Sequence, residues 1–437
     1  MLGFLRSLGR TNVSNLNWFN KDELRLDNVL PLGAIEFENQ RYAANSVTKT
    51  QADMFTFTRA STATYIDSSG VVQTALADEL RFTHDPYTLE PLGALIEDSS
   101  TNLLLRTTEF EANSWIYSNM SVVTNVSEAP DGTLSMDKLV PNNTNNIHFM
   151  LQNITTVSGN SYTFSMYVKP NGYDYIQITG STGFSTDYMN FYLSGDGSIG
   201  NTNGGTGTIK KVGTDCYRIS YTLISNTNGT GSRMLIAPLD ADTAARLPTW
   251  TPDGTSGIDA WGAQFEKKLG ATSYIPTYGS TVTRALDDLT LNSSLFPAIW
   301  NQSEGTVIIN YQINFDSSNA GLFQANSSTI DDVIDLIQST NINRMLITSN
   351  GVGQLDQTNS NITFNTDTKV ALAYAENNST ITVNGVAGSV DNSCIMPTTI
   401  NGINVFYDGL SRSTGTIKSI YIYPNRGQQS ELTRITT

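Results

Sequence analysis

The chain has 437 residues, 25 Lys plus Arg against 40 Asp plus Glu, and a net charge of −15. That length calls for two or three cores, and a surface of that sign with no clustered basic face excludes nucleic-acid phosphates and anionic lipid as partners. Only 15% of residues are charged, against about 25% in ordinary globular chains; Asn, Thr, Ser and Gly fill the deficit, which suits β-turns and argues against a helical cytosolic enzyme.

In the first ten residues Phe4, Leu5 and Leu8 fall on one side of a helical turn, with Arg6 and Arg10 opposite. The segment is too short to hold alone as a helix, so it reads either as a frayed terminus or as a docking peptide that orders on a neighbouring subunit. Residues 1–54 are expected to form an irregular attachment and oligomerisation region with short strands and a turn at 31–33.

A β cassette is expected over 55–100. Phe55 and Phe57 alternate as in a strand, Asp67, Ser68, Ser69 and Gly70 signal a hairpin before Val71 and Val72, and Asp85, Pro86 and Tyr87 mark another turn before a short buried strand at 93–97. Residues 101–287 carry repeated strand patterns at sandwich-like spacing: 161–169, 173–178, 188–193, 216–223, 234–237 and 258–266. In 161–169, Tyr162, Phe164, Met166 and Val168 share one face, and in 258–266 the four-residue spacing puts Trp261 and Phe265 on one face. Residues 288–437 begin a new run of strands at 305–315, 370–374, 379–385 and 416–423, with an Asn384, Gly385 hairpin turn and a terminal helix at 428–432. The expected fold class is therefore all-β, two β-sandwich domains preceded by the irregular N-terminal region.

Candidate chemistry is sparse. His84 and His148 have no nucleophile in a recognisable elbow, no zinc spacing exists, and no catalytic residue is assigned. The glycine-rich stretches 195–200 and 203–207 read as loops, since no helix follows to cradle a phosphate. Cys216 and Cys394 fall in different domains and are expected to be free, buried thiols. Asp316, Asp331, Asp332 and Asp335 are candidate calcium ligands, because hard cations take carboxylate oxygens; the competing reading of 331–335 is a solvated edge or loop. No other cofactor is expected. Sugar recognition needs flat aromatic faces beside hydrogen-bonding groups, and Trp115 with Tyr117, Tyr173 with Tyr175, and Trp250 are the candidates, each set against a core role. A Thr-Arg-Ala triplet recurs at Arg59 and Arg284, which suggests a clasp in which each arginine pairs an acid nearby.

Two segments carry a family likeness: 55–106, FTFTRASTATYIDSSGVVQTALADELRFTHDPYTLEPLGALIEDSSTNLLLR, and 258–285, IDAWGAQFEKKLGATSYIPTYGSTVTRA. They resemble segments of virion and tail-appendage proteins of tailed bacteriophages. The resemblance implies a carbohydrate-binding-module-like jelly roll over 101–287, opening at TNLLLRT, and the strand order of 288–437 resembles a concanavalin A-like or laminin-G-like sandwich. It further implies a tail or head fibre that adheres to host-surface glycans without breaking a bond, partners among other virion proteins and itself, and a trimer by family expectation. A capsid or tail decoration protein and a polysaccharide depolymerase are the competing roles. The opening MLGFLRSLGR has too short an apolar stretch for a secretory leader, which together with the composition fits a virion component released by lysis.

Overall fold

A computed structural model describes residues 24–316, 319–327, 331–408 and 411–437. The chain is nearly all β, and it divides into two compact units: Thr58–Asp287, and a second made of Met1–Phe57 with Asp288–Thr437. Phe4, Leu5 and Leu8, the expected docking turn, lie outside the described residues.

Thr58–Asp287 is built on two six-stranded antiparallel sheets packed face to face. One runs in the order Ile116–Ser118, Phe149–Leu151, Met234–Leu239, Tyr175–Gly180, Tyr188–Tyr192, Ser198–Asn203; the other runs Met120–Glu128, Leu134–Pro141, Gly257–Glu266, Ser161–Asn171, Cys216–Ile224, Thr206–Val212. Alternation does the sorting. Tyr162, Phe164, Met166 and Val168 point inward as their period-two pattern requires, and meet Ile176, Ile178, Phe191 and Ile236 of the facing sheet. The stretch 195–207, expected as loops, instead contributes the strand Ser198–Asn203, and Gly204 and Gly205 (φ 66° each) form the turn into Thr206–Val212.

Trp261 and Phe265 do not share a face. Phe265 lies in the central core, whereas Trp261 packs on the opposite side with Tyr167, Cys216 and Tyr274. The cause is a β-bulge: Ser165 pairs Gln264 but Tyr167 pairs Trp261, so three steps on one strand oppose two on the other. One extra residue reverses every side chain beyond it. Gly262, at φ 62° and with a Tyr167 ring carbon 3.1 Å from where a Cβ would sit, is the residue that permits it.

The cassette covers the second face that this bulge creates. Ala63–Ile66 and Val72–Ala75 form the expected hairpin, and Val72 with Ile66 closes over Met136, Tyr167 and Trp261. Beneath it lies a charge cluster in which Arg59, Arg81, Glu97, Arg284 and Asp287 are each at most 1% exposed. Arg81 reaches Glu97 at 2.9 Å and Asp287 at 2.5 Å; Arg59 reaches Asp287 at 3.1 Å and Arg284 reaches Glu97 at 3.4 Å. The arginine of each Thr-Arg-Ala triplet therefore does pair an acid. The two family-like segments also pair directly, Ser100–Asn102 running antiparallel to Val282–Arg284. Asn102 uses its whole amide there, donating to Ala263 and Ile275 carbonyls and accepting from Leu104 and Phe265 N–H groups.

In the other unit, an eight-stranded path runs Val47–Lys49, Arg41–Ala44, Gly33–Glu36, Gly415–Tyr423, Glu304–Ile313, Thr368–Ala375, Thr380–Val383, Val386–Ala387. A seven-stranded sheet faces it: Val352–Asn361, Ile342–Ser349, Val333–Ser339, Ala320–Asn326, Gly402–Val405, Asp288–Leu291, Phe55–Thr58. Tyr311 of the first sheet hydrogen-bonds Asn343 of the second and packs edge-on against Phe406. The described part of the expected N-terminal region is thus no separate module. Gly33–Glu36 pairs Gly415–Tyr423 in full register, and Leu26 joins Tyr423 and Leu432 of the terminal helix Gln429–Thr436. Its consecutive apolar residues, Ala34 and Ile35 beside Tyr42 and Ala43, suit a strand buried on both faces. Asn384 (φ 46°) and Gly385 (φ 76°) make the expected hairpin turn. Cys216 and Cys394 are free and buried.

Burial alone would raise the pKa of Glu97, but Arg284, Arg81 and the Ser273 hydrogen bonds outweigh it and hold the carboxyl down at about 2. A depressed carboxylate stabilises the fold above its ordinary value of 4.5, and that stability drains away as pH falls toward 2. Urea titrations of the 58–287 unit should therefore show loss of stability beginning below about pH 4.5. Glu97→Gln, which strands buried guanidinium charge, should cost about 3–5 kcal/mol at neutral pH and flatten that acid limb; an unchanged limb would place the proton uptake elsewhere.

Candidate functional site

Sheet alternation decides which predicted aromatics reach solvent. Trp115 does not: it is 3% exposed, lies tilted against Phe110 with ring centroids 5.1 Å apart, and donates its indole N–H to the Arg106 carbonyl at 3.1 Å. Tyr117 packs against the same core and donates its hydroxyl to the Phe110 carbonyl. Trp115 therefore belongs to the jelly-roll interior and reaches no glycan, whereas Tyr117 is half-buried with its hydroxyl committed to the chain. The signal was in the sequence, since two aromatics close behind an apolar LLL run have a core to join.

Tyr173, Tyr175 and Trp250 are half-buried, and Tyr173 also rests against the inner core. The strand expected at 173–178 begins only at Tyr175, and Tyr173 lies in the irregular link before it. The two tyrosines belong to separate ring pairs. Tyr175 lies across from Tyr192 in register and stacks on it at 4.9 Å with 22° between the planes. Tyr173 meets Trp250 at 5.0 Å, nearly perpendicular, and Trp250 in turn meets His148 at 5.7 Å. Register puts all of them at one end of the first sheet: Tyr175 pairs both Tyr192 and Leu239, and Met150, two residues beyond His148, pairs Ile236. Tyr192 was missed in the sequence; only its register opposite Tyr175 makes it a partner.

The loops that hold these rings are tied by polar bonds. The Asp253 N–H donates to the Tyr173 hydroxyl at 3.0 Å, and the Asp253 carboxylate accepts from the backbone of Thr255 and Ser256 and from the Ser256 hydroxyl. Those three bonds hold the Asp253 carboxyl well below the ordinary range and keep it ionised. His148 is 2.8 Å from the Asn119 carbonyl through Nδ1 and 3.4 Å from the Trp250 carbonyl through Nε2, which anchors the Trp250 loop.

Next to the rings, the outer face of the same sheet is crossed by residues 240–250. Gln177, Thr179 and Asn190 point outward yet are fully buried, because this strap supplies their partners. Asn190 donates to the carbonyls of Asp242 (2.8 Å) and Ala244 (2.7 Å), Gln177 donates to Asn190 (2.7 Å) and accepts from the Leu247 N–H (2.8 Å), and Arg246 donates to Thr179 (2.8 Å) and to the Gly180 carbonyl (2.9 Å).

The calcium candidates are not brought together; among the described residues no group of three or more His, Cys, Asp or Glu is placed to hold a metal. The stretch around them is also no solvated loop, since Val333–Ser339 is an interior strand whose Ile334 and Leu336 are buried. Asp332 accepts from the Asn350 N–H at 2.7 Å and from Thr399, Asp316 accepts from Gln338 at 3.0 Å, and the Asp331 carbonyl accepts from Gly351 at 2.8 Å. Asp335 is the odd member of an outward-facing row beside Gln324; burial, with Asp408 adding to it, pushes its carboxyl up to about 8. Asp137 is likewise pushed up by burial to about 6, with Glu111 adding, but its oxygens accept from the Asn125 and Phe110 N–H groups and so fix the chain.

No family model matches the chain, and no curated protein matches it. Among solved structures it is similar to the CBM40 domain of the Ruminococcus gnavus IT-sialidase bound to α2,3-sialyllactose, at 15% identity and a TM-score of 0.28, over 31% of this chain and 84% of that one. It is also similar to domain 4 of AbnA, a GH43 extracellular arabinanase from Geobacillus stearothermophilus, with arabinotriose (12% identity, TM-score 0.30, 38% and 82%). A Trypanosoma rangeli sialidase with sialic acid matches at 9% identity and a TM-score of 0.27, over 75% and 65%. Likenesses of this size say nothing about a ligand. No helix among the described residues is long and apolar enough to cross a membrane.

Cutting the strap's anchor tests its role: Asn190→Val should lower jelly-roll stability by about 1–3 kcal/mol and open protease cleavage between 240 and 250. An unaltered cleavage pattern would show that the strap is held by other contacts.

Proposed function

We propose that the chain is a glycan-binding display protein, and that the ring-lined end of the jelly-roll sheet is where sugar is held. One observation carries this: two aromatic ring pairs, Tyr175 with Tyr192 and Tyr173 with Trp250, all four residues half-buried, lie at one end of a sheet whose neighbouring Ile176, Ile178 and Phe191 are wholly buried. Pyranose C–H faces pack on such rings, and Asp253, Asp240 and the amides of the bordering loops supply acceptors and donors for hydroxyls. Binding, with no bond broken, is the mechanism.

The phage-like segments at 55–106 and 258–285 support placing this binder on a virion appendage such as a tail or head fibre, where several weak sites on one oligomer add by avidity. A trimer is the assembly that reading implies, and light scattering of the purified protein measures it. Decoration of a capsid or tail is the rival, in which the same rings would be covered by neighbouring subunits.

Binding of the full-length protein to a glycan array is the first test. Tyr175→Ala and Trp250→Ala should each weaken the strongest array ligand by about 1–2 kcal/mol, roughly 5–30-fold, with unchanged thermal stability, whereas Tyr117→Ala should destabilise the fold. Loss of binding only with Tyr117→Ala, or release of reducing ends from host polysaccharide, would overturn the reading.

A further inference from the structure

Granted the proposed glycan site, on which this inference rests, the sign of the charge around the rings narrows the ligand. Four segments border the ring-lined sheet end: 142–148, 171–175, 192–198 and 239–256. Together they contain five aspartates (Asp174, Asp196, Asp240, Asp242, Asp253) and one permanent cation, Arg246. Asp174, Asp240 and Asp253 are exposed and Asp242 is half-buried.

The cation is directed away from the rings. Arg246 donates Nε to the Thr179 hydroxyl and a second nitrogen to the Gly180 carbonyl, at the far end of the strand that begins with Tyr175. Four residues of strand separate Tyr175 from Thr179, about 13 Å, beyond the roughly 8 Å over which an exposed charge is felt at physiological salt. Asp196 is partnered by Lys211 at 3.7 Å. Asp174, Asp240, Asp242 and Asp253 then set the field at the rings. Asp253 and Asp240 act on the Tyr173 phenol, and Asp242 and Asp174 on that of Tyr175.

We infer that this site accepts glycans that are uncharged or positively charged, including amino sugars, and rejects those bearing carboxylate or sulfate groups. Anionic sugars need a guanidinium or ammonium beside the stacking surface. Here the aromatic faces that attract a pyranose are fenced by carboxylates, so an acidic substituent meets like charge with nothing to pair it. The same fence attracts a protonated amine, which also gains from lying against a phenol or indole face.

The test uses the full-length protein and an array that presents neutral oligosaccharides and their sialylated and sulfated counterparts on the same linkers. At 0.15 M salt each acidic counterpart should bind at least about tenfold more weakly than its neutral parent, and the gap should shrink in 1 M salt, where screening is nearly complete. Asp174→Lys, a surface change verified by thermal melting, should narrow the gap several-fold while leaving the neutral ligand within about threefold of its original affinity. Acidic glycans that bind wild type as well as or better than the neutral ones would overturn the charge assignment and leave the glycan reading standing. Absence of binding to every array member would overturn both.

Discussion

Three arginines and two carboxylates sealed from water hold the 58–287 unit together. Each carboxylate is shared, Glu97 between Arg81 and Arg284 and Asp287 between Arg59 and Arg81, so Arg81 bridges the two acids. The surplus positive charge is absorbed by backbone carbonyls of Ser61, Thr64, Leu76 and Asp98. Burying such a group is costly unless its forks find acceptors, and here Arg81 Nε goes without one. The contributing residues come from 59 to 287 along the chain, so the cluster forms only when the cassette, the closing strand and the end of the unit are all in register. An apolar filling would tolerate a slipped hairpin. Planar guanidinium forks meeting fixed carboxylates do not.

That constraint explains which parts of the architecture were legible beforehand. Strands with strict alternation and marked turns, such as Ser161–Asn171 and the Asn384, Gly385 hairpin, follow from period and turn chemistry alone. The clasp formed by Arg59 and Arg284 was visible as a repeated triplet, although its third arginine, Arg81, gives no local sign. Failures came where a long-range event changed the meaning of a local pattern. The Gly262 bulge inverts the four-residue rule that placed Trp261 with Phe265, and the pairing of Gly33–Glu36 with a strand nearly four hundred positions later cannot be read from composition.

The candidate site was partly legible for the same reason. Trp250, Tyr173 and Tyr175 stand out in the sequence as aromatics in polar surroundings, but Tyr192 acquires a partner only through register, and Trp115 loses its exposure through packing. The acidic quartet read as calcium ligands failed because strand geometry scatters it: Asp335 lies within Val333–Ser339, while Asp332 precedes that strand and caps backbone groups of Asn350 and Thr399. Beside the rings, Gln177 and Asn190 fix a strap across the sheet. The aromatic rings and the carboxylates lie at the strand ends beside that strap.

The break in the second unit, whose two pieces flank residues 58–287, has a consequence for biogenesis. As the polypeptide leaves the ribosome, Gly33–Glu36 emerges long before Gly415–Tyr423, the neighbour it must join, and the whole 58–287 unit is made in between. With Arg41–Ala44 paired on one side, the other side of this early strand stays open, a template for mispairing. The same interleaving means that the piece liberated by cutting on both sides of 58–287 keeps its own core, whereas a protein begun at 288 lacks the strands that finish both sheets of the other unit.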